Sequence, residues 1–462
     1  MKRMYLSRFA HFFINKEDEE VGAFYHAINL SLIFLPSKMW ENFKKFEDPL
    51  TTEEFLAGVS KGERGEYKRL LNNLIKNKFL ISSRKEDENQ IFSINGNLPN
   101  SYPQILYLML ADGCNLACRY CFEGMNRGEE KKVLKMTEKV ALKSLQLFSS
   151  LILENPKLFP QKKSIIFYGG EPMLNFDCLV FALKEITKMK KAKLLPRKLD
   201  LVLITNGTLI DSQKAAILKK YKVNVSISLD GNKKHNVNRV FAGGKPAFPK
   251  IIKGYKLCRD AGVSTSISCT ISESNVNEPE VVVKEILKRK ISFLGFNVLL
   301  GKSTENYQKK AALFITKCFK VFQKKNIFED RMYRKLEAFS DKKQLLFDCG
   351  AAGGNQLVIS PEGTIGICHG FFKERKYFES SVFSDSFHPL KSKTFITWRY
   401  RTPFIMSACW NCEALAVCGG GCPMNAEKEY GSIWEIDKRY CEHSKQSLDF
   451  LIWDLYNSLD KQ

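Results

Sequence analysis

The sequence lacks any apolar run approaching the length of a membrane span. Its start, Met1-Lys2-Arg3-Met4-Tyr5, leads into a mixed polar segment rather than the apolar core of a signal peptide. A spanning helix and a secretory signal are therefore excluded, and the expectation is a cytoplasmic protein with no membrane partner. Acidic residues are in deficit: 50 Asp and Glu face 72 Lys and Arg, a net charge of +22. The first hundred residues lack that excess, with 15 Lys and Arg against 14 Asp and Glu. Phosphate binding by this part is therefore not expected. The surplus falls on helix-like stretches such as Lys184–Lys193 and Lys284–Lys290. It reads as solvated outer faces ahead of an acidic peptide partner, with nucleic acid last. What is abundant is cysteine, with 14 in 462 residues. In a cytoplasmic chain that points to metal rather than disulfides. At 44% hydrophobic and 26% charged, the composition is that of a soluble globular protein of about two to four domains.

From Gln104 the pattern alternates. Strands are predicted at Ile105–Ala111, Ser164–Tyr168, Asp200–Thr205, Val223–Leu229, Val263–Thr270 and Ile291–Leu300. Helices are predicted near Thr137–Leu153, Phe176–Lys188, Ser212–Lys220, Phe248–Ala261 and Glu280–Lys290. Such βα units imply a parallel sheet with right-handed crossovers. In these folds chemistry sits beyond the C-terminal ends of the strands, and each strong motif falls there. The first strand is followed by Gly113-Cys114-Asn115-Leu116-Ala117-Cys118-Arg119-Tyr120-Cys121-Phe122-Glu123, and the second by Gly169-Gly170-Glu171-Pro172. Thr205-Asn206-Gly207-Thr208 follows the third, and Ser228-Leu229-Asp230-Gly231 ends the fourth. Cys114, Cys118 and Cys121 stand at Cys-x3-Cys-x2-Cys spacing. Three thiolates can hold three irons of a four-iron cluster and leave the fourth open to a small molecule. A zinc knuckle or buried cysteines would account for the spacing alone.

The ordered set of motifs resembles the radical S-adenosylmethionine (SAM) enzymes. The resemblance implies a partial (βα)6 TIM-like barrel and a [4Fe-4S] cluster on Cys114, Cys118 and Cys121. In that family the open iron chelates SAM, and one electron cleaves it to methionine and a hydrogen-abstracting 5′-deoxyadenosyl radical. By the same resemblance Gly169, Gly170 and Glu171 belong to the loop around the SAM amino group. Ser228 and Arg239 correspond to groups serving its carboxylate and ribose, Tyr120 lies near the adenine, and Asn206 joins the set.

Residues 1–97 read as a small α+β module. Strand-like Phe9–Ile14 and Val21–Leu35 precede helices at Ser37–Phe46, Thr51–Val59 and Glu63–Asn77. Thr51 is expected to cap the second helix. Phe79–Ser82 and Gln90–Ile94, around the charged tip Arg84–Glu88, read as a hairpin, so the module looks winged-helix-like. The order resembles the precursor-recognition domain of peptide-modifying enzymes, in which a leader peptide adds a strand to a sheet edge. Asn95–Pro103 is a linker, and the amphipathic stretch 301–347 is a helical bridge.

Seven cysteines close the chain: Cys349, Cys368, Cys409, Cys412, Cys418, Cys422 and Cys441. Zinc is the bland reading of the Cys-x2-Cys pair. The whole arrangement over 348–462 resembles the SPASM extension of radical SAM enzymes, which carries two auxiliary four-iron clusters. By that resemblance Cys349, Cys368 and Cys422 hold the first and Cys409, Cys412, Cys418 and Cys441 the second, three clusters in all. Sulfatase-maturating relatives have a further cysteine where Asn355 stands, and an Asp base where His369 stands. Peptide maturases that form thioethers share the incomplete set. His369 is then a candidate base or an orienting group. The implied function is modification of a ribosomally made precursor, with a Cys-to-carbon thioether as the expected product. Carbon–carbon crosslinking and anaerobic formylglycine maturation of a sulfatase are the alternatives. The electron donor would be low-potential, such as ferredoxin or flavodoxin. A Zn or Fe–S winged-helix regulator on DNA fits poorly with the near-neutral front module, and an electron carrier leaves the SAM-site loops without a role.

Overall fold

The computed structural model describes residues 2–99, 102–122, 124, 133–157, 159, 161–301 and 303–459; Glu123 of the cysteine stretch and 100–101 of the linker lie outside these. One large sheet dominates. Its strands are β1 (Ile105–Ala111), β2 (Lys163–Gly169), β3 (Leu199–Thr205), β4 (Asn224–Ser228), β5 (Thr265–Ile271), β6 (Phe293–Val298), β7 (Phe328–Glu329), β8 (Gln356–Ile359), β9 (Thr364–Gly366) and β10 (Phe378–Ser381). The spatial order is β7-β6-β5-β4-β3-β2-β1-β8-β9-β10. Every pairing from β7 through β1 to β8 is parallel; β9 and β10 are antiparallel. Helices Glu138–Leu153, Phe176–Lys191, Ser212–Lys220, Phe248–Asp260 and Pro279–Lys288 provide the crossovers.

Burial alternates along β2, β3, β4 and β5, as a period of two requires when one face meets helices and the other is only half-covered. Ile165, Phe167, Leu203, Val225, Ile227 and Ile267 join the helices in one apolar core, where each such side chain contributes about 1.5–3 kcal/mol. The alternate residues, among them Tyr107, Tyr168, Ser228, Ser268 and Asn297, remain half-buried on the opposite face. Cys178, Cys258, Cys269 and Cys318 are core residues, as expected.

The sheet extends beyond the six expected strands on both sides. The stretch 301–347 holds helices Glu305–Lys324 and Asp330–Ser340, and β7 between them pairs with β6. On the other side β8 pairs with β1, so the C-terminal region begins as a continuation of the barrel wall.

The front module has an antiparallel sheet of Ala10–Ile14, Val21–His26 and Leu32–Pro36. The single strand-like run Val21–Leu35 is broken by a turn that holds Leu30 at φ 58°. Helices Met39–Phe43, Thr52–Ala57 and Arg64–Lys76 follow, and Thr51 and Glu54 form the reciprocal cap expected at Thr51. The expected hairpin is not formed: Leu80–Ile81 pairs with Tyr5–Leu6, and Lys85–Gly96 is a helix. Glu86, Asp87 and Glu88 occupy its first turn, where carboxylates suit the helix dipole. Asp87, fully buried, accepts from Ser7 Oγ at 2.7 Å and the Arg8 amide at 2.9 Å. Ile91, one turn on, faces the same core. The module is not a detached bead. Phe9, Tyr25, Ala27, Ile28 and Leu30 share one core with Ala414, Leu415, Ala416 and Val417 and with the long helix Lys438–Leu459. Backbone and side-chain bonds cross the same seam: Ala416 N to Ala27 O at 3.2 Å and Gln344 Nε2 to Ile28 O at 3.0 Å.

Candidate functional site

The cysteine loop leaves the C-terminal end of β1 and is laced to the loop after β4. Ala117 N donates to Val240 O at 2.8 Å, and Arg119 N to Asn238 O at 3.0 Å. Cys114 Sγ receives the Leu116 amide at 3.4 Å and Asn206 Nδ2 at 3.7 Å. Asn206 Nδ2 also donates to Asn115 Oδ1 at 2.9 Å, and Asn115 Nδ2 reaches Thr208 Oγ1 at 2.8 Å. Two of the motif loops are thus tied side chain to side chain. The three thiols are half-buried neighbours; burial raises Cys114, and Glu171, Cys118 and Cys121 facing it raise it further. Donors aimed at sulfur and an all-thiol set suit an iron–sulfur cluster. Among the described residues no three His, Cys, Asp or Glu converge to hold a single ion. A four-iron cluster takes one thiolate per iron and needs no such convergence.

Gly169 and Gly170 are required by the protein's own backbone. A Cβ on Gly169, at φ 137°, would stand 2.3 Å from Ala111 O, and one on Gly170 2.2 Å from Gly113 O. Their absence lets the second loop seat itself against the cysteine loop, where Gly170 N and Glu171 N donate to Ala111 O and Gly113 O, both at 2.9 Å. Glu171 is buried and accepts from Thr205 Oγ1 at 2.6 Å, Asn206 N at 2.8 Å and Met173 N at 3.1 Å. Burial pushes its carboxyl up to about 7, against the pull of those three donors.

Arg239 and Tyr120 meet at Asp230, which sequence reading left out of the site. Asp230 is fully buried and takes a bidentate pair from Arg239, Nε and a terminal nitrogen each at 2.9 Å. It also accepts from Tyr120 Oη and from Thr270 N at 2.9 Å. The guanidinium lies 5.4 Å from the Tyr120 ring centre. Asp230 thus fixes the cation and the aromatic ring together. Ser228 ends β4, half-buried, beside Ser268 of β5.

His369, in the turn after β9, packs on the half-buried face of β1 and β2. Its ring stacks on Tyr107 at 4.9 Å and meets Tyr168 at 5.2 Å and Phe122 at 6.5 Å. Burial pulls it down to about 4, so the imidazole is neutral near pH 7. The thiols of Cys349 and Cys368 face Tyr107. Cys349 is solvent-accessible. Cys422 faces Cys349. Cys418, Cys412 and Cys409 all face Cys441, and their charge adds to burial in raising it. Cys422 thus lies near Cys349, and Cys409, Cys412 and Cys418 lie near Cys441.

Cations surround them. Arg401 is fully buried and donates to the carbonyls of Ile433, Gly420 (2.6 Å) and Glu435 (2.8 Å). Burial pulls its guanidinium down, opposed by the charge of Cys422, Asp437, Cys409 and Cys418. Lys335, also fully buried, donates to Val417 O at 3.1 Å and Ser444 Oγ at 3.0 Å. Two buried cations held by neutral acceptors are costly unless an anion is near. Thiolate-ligated clusters, net negative, fit this surrounding.

Residues 108–286 match the Radical SAM superfamily model. Over 470 residues the chain is 22% identical to the radical SAM cyclopropyl synthase TigE of Paramaledivibacter caminithermalis, covering 95% of this chain and 93% of that protein. It is 24% identical to a cysteine-type anaerobic sulfatase-maturating enzyme of Clostridium perfringens, over 75% of this chain and 95% of that one. The solved structure of native anSMEcpe with bound AdoMet and Cp18Cys peptide has the same fold, with a TM-score of 0.64 at 24% identity, covering 78% of this chain and 99% of that one. With the matched domain spanning the cysteine loop and the loops after β2, β3 and β4, the chain is a radical SAM superfamily enzyme with SPASM-type maturase relatives.

Proposed function

We propose that this enzyme is a cytoplasmic maturase of a ribosomally made precursor peptide, forming a bond from a cysteine sulfur to carbon. Cys114, Cys118 and Cys121 would hold the SAM cluster. Cys349, Cys368 and Cys422 would hold one auxiliary cluster, and Cys409, Cys412, Cys418 and Cys441 the other. When bound, SAM and its cluster supply the hydrogen-abstracting radical, and the auxiliary clusters supply redox capacity. Asn206 and the Leu116 amide orient Cys114, the buried carboxyl of Glu171 braces the loop that would stand beside the SAM amino group, and Asp230 holds Arg239 and Tyr120, which would serve the rest of SAM. Neutral His369 holds the wall beside Cys368 as an orienting group or a proton acceptor. The net change per thioether is loss of one C–H hydrogen and one S–H hydrogen, with one C–S bond formed.

The observation that carries the peptide reading is the front module fused to the cysteine-rich region through a shared core, which puts a sheet able to hold a leader on the same body as the reaction site. The thioether reading rests on Asn355. It stands where a fourth cysteine would complete the first auxiliary set, and its Oδ1 is buried with no partner among the described residues. TigE is named for cyclopropane formation, a carbon–carbon chemistry, and the sulfatase-maturating relative carries equal weight. All three products are separated by anaerobic co-expression with a cysteine-containing peptide encoded beside the gene, followed by intact mass. Loss of two hydrogens per site with matching loss of alkylatable thiols supports the thioether. The same loss with all thiols free indicates carbon–carbon bonding, and an unmodified peptide beside active SAM cleavage indicates a sulfatase or other protein substrate.

A further inference from the structure

Tyr25 lies at the seam between the front module and the Cys409–Cys418 loop. Its side chain is fully buried, in the core that also takes in Ala414–Val417 and against which Cys409 and Cys412 pack. Its ring stacks on Phe339 at 6.3 Å and meets Phe13 edge-on at 6.2 Å. A phenylalanine would serve that packing as well. Among the described residues the hydroxyl has no hydrogen-bond partner, and a buried polar group in that state is destabilising. Tyr25 pairs directly with His11 across the sheet, so the two side chains share a face. His11 Nε2 is likewise buried and has no partner among the described residues. Both point at one short segment. Cys412 faces the Tyr25 phenol, while Glu413 and Lys445, joined at 3.3 Å, face His11. A fold retains an unsatisfied donor where something it donates to is still to arrive.

We propose that the front module completes the second auxiliary-cluster site, with the Tyr25 hydroxyl donating a hydrogen bond to the Cys412 sulfur once that sulfur ligates iron. This rests on the reading that Cys409, Cys412, Cys418 and Cys441 hold a cluster. Tyr25 is a positioning residue that acts on the cluster through its ligand. Hydrogen bonds to ligand sulfur favour the more negative, reduced cluster and so raise its potential.

The test uses full-length protein, reconstituted anaerobically, as wild type and Tyr25→Phe. Iron and sulfide are counted, and reduction is followed by potentiometric titration with EPR detection. The expected result is equal iron in both, one cluster signal shifted to more negative potential in Tyr25→Phe, and the other signals unmoved. Equal iron with every potential unchanged would overturn the proposal. If replacing Cys409, Cys412, Cys418 and Cys441 together by Ala removes no iron from the wild-type count, the underlying cluster reading fails instead. Chemical denaturation of the metal-free forms supplies a second arm. With the orphaned hydroxyl gone, metal-free Tyr25→Phe should be at least as stable as metal-free wild type, and a less stable variant would count against the proposal.

Discussion

The front and back cysteine sites are built on opposite electrostatic plans. At the front, the thiols sit half-buried on a loop, and the charged groups behind them balance: Arg239 is spent on Asp230, and Glu171 is buried among hydrogen-bond donors. At the back, Arg401 and Lys335 are buried against carbonyls and a hydroxyl. A site that would admit and release a small charged cosubstrate is served by a frame whose own charges are already paired. A site that must hold a fixed anion is served by standing positive charge. On the proposed function, the difference suits exchange at the front and retention at the back.

The largest expected effect separates the two sites outright. Cys118→Ala should abolish 5′-deoxyadenosine production, whereas Cys412→Ala should leave SAM cleavage measurable and remove the peptide product; chromatography of both products in one assay checks this. Next, Arg401→Met should cost the iron-loaded protein about 3–5 kcal/mol, the penalty for removing one partner of a buried charge pair, and the metal-free protein much less. Anaerobic denaturant titrations of both forms would show a single retention charge, and equal costs would break the contrast. Third, Glu171 has its folded value raised from an ordinary 4.5 to about 7. The stability from its protonation is therefore complete below pH 4.5 and lost as the pH rises through 7. Metal-free protein should lose about 3 kcal/mol across that window, and Glu171→Gln should flatten the slope in stability measured against pH. Asn355→Cys should raise the thiolate count at the first auxiliary set and block thioether formation without lowering iron, as read by product mass beside iron analysis. The smallest effect lies outside both sites. Lys222 takes φ 54°, and Lys222→Gly should gain about 0.5–1 kcal/mol in thermal unfolding.

How much of this was legible depended on the range of the interaction. The six βα strands were readable because alternation is local, and their ends fall within about two residues of expectation. β7 spans two residues and β8 is buried throughout, so neither carries a period to read. Gln90–Ile94 reads as a strand because it faces Phe79–Ser82 across a charged tip, whereas the contact that anchors the helix there, Asp87 with Ser7 and Arg8, spans about eighty residues. The cysteine spacing and the Gly-Gly-Glu-Pro loop announced the front site. Asp230 stood inside the Ser228–Gly231 motif, but its role was not legible, because it depends on Arg239 and on Tyr120, the latter 110 residues away. Arg401, Lys335 and Tyr25 were illegible for the same reason: each faces thiols distant in sequence.

The seam at Ala27 and Ala416 also sets an order of assembly. The face bearing Phe9, Tyr25 and Ala27 leaves the ribosome first but is covered by residues near 414–452. At ordinary rates of synthesis that is a wait on the order of tens of seconds. During it, a sheet with an apolar face stands without its cover. A nascent chain halted before the long helix Lys438–Leu459 would present that face to whatever chaperone or neighbouring chain met it first.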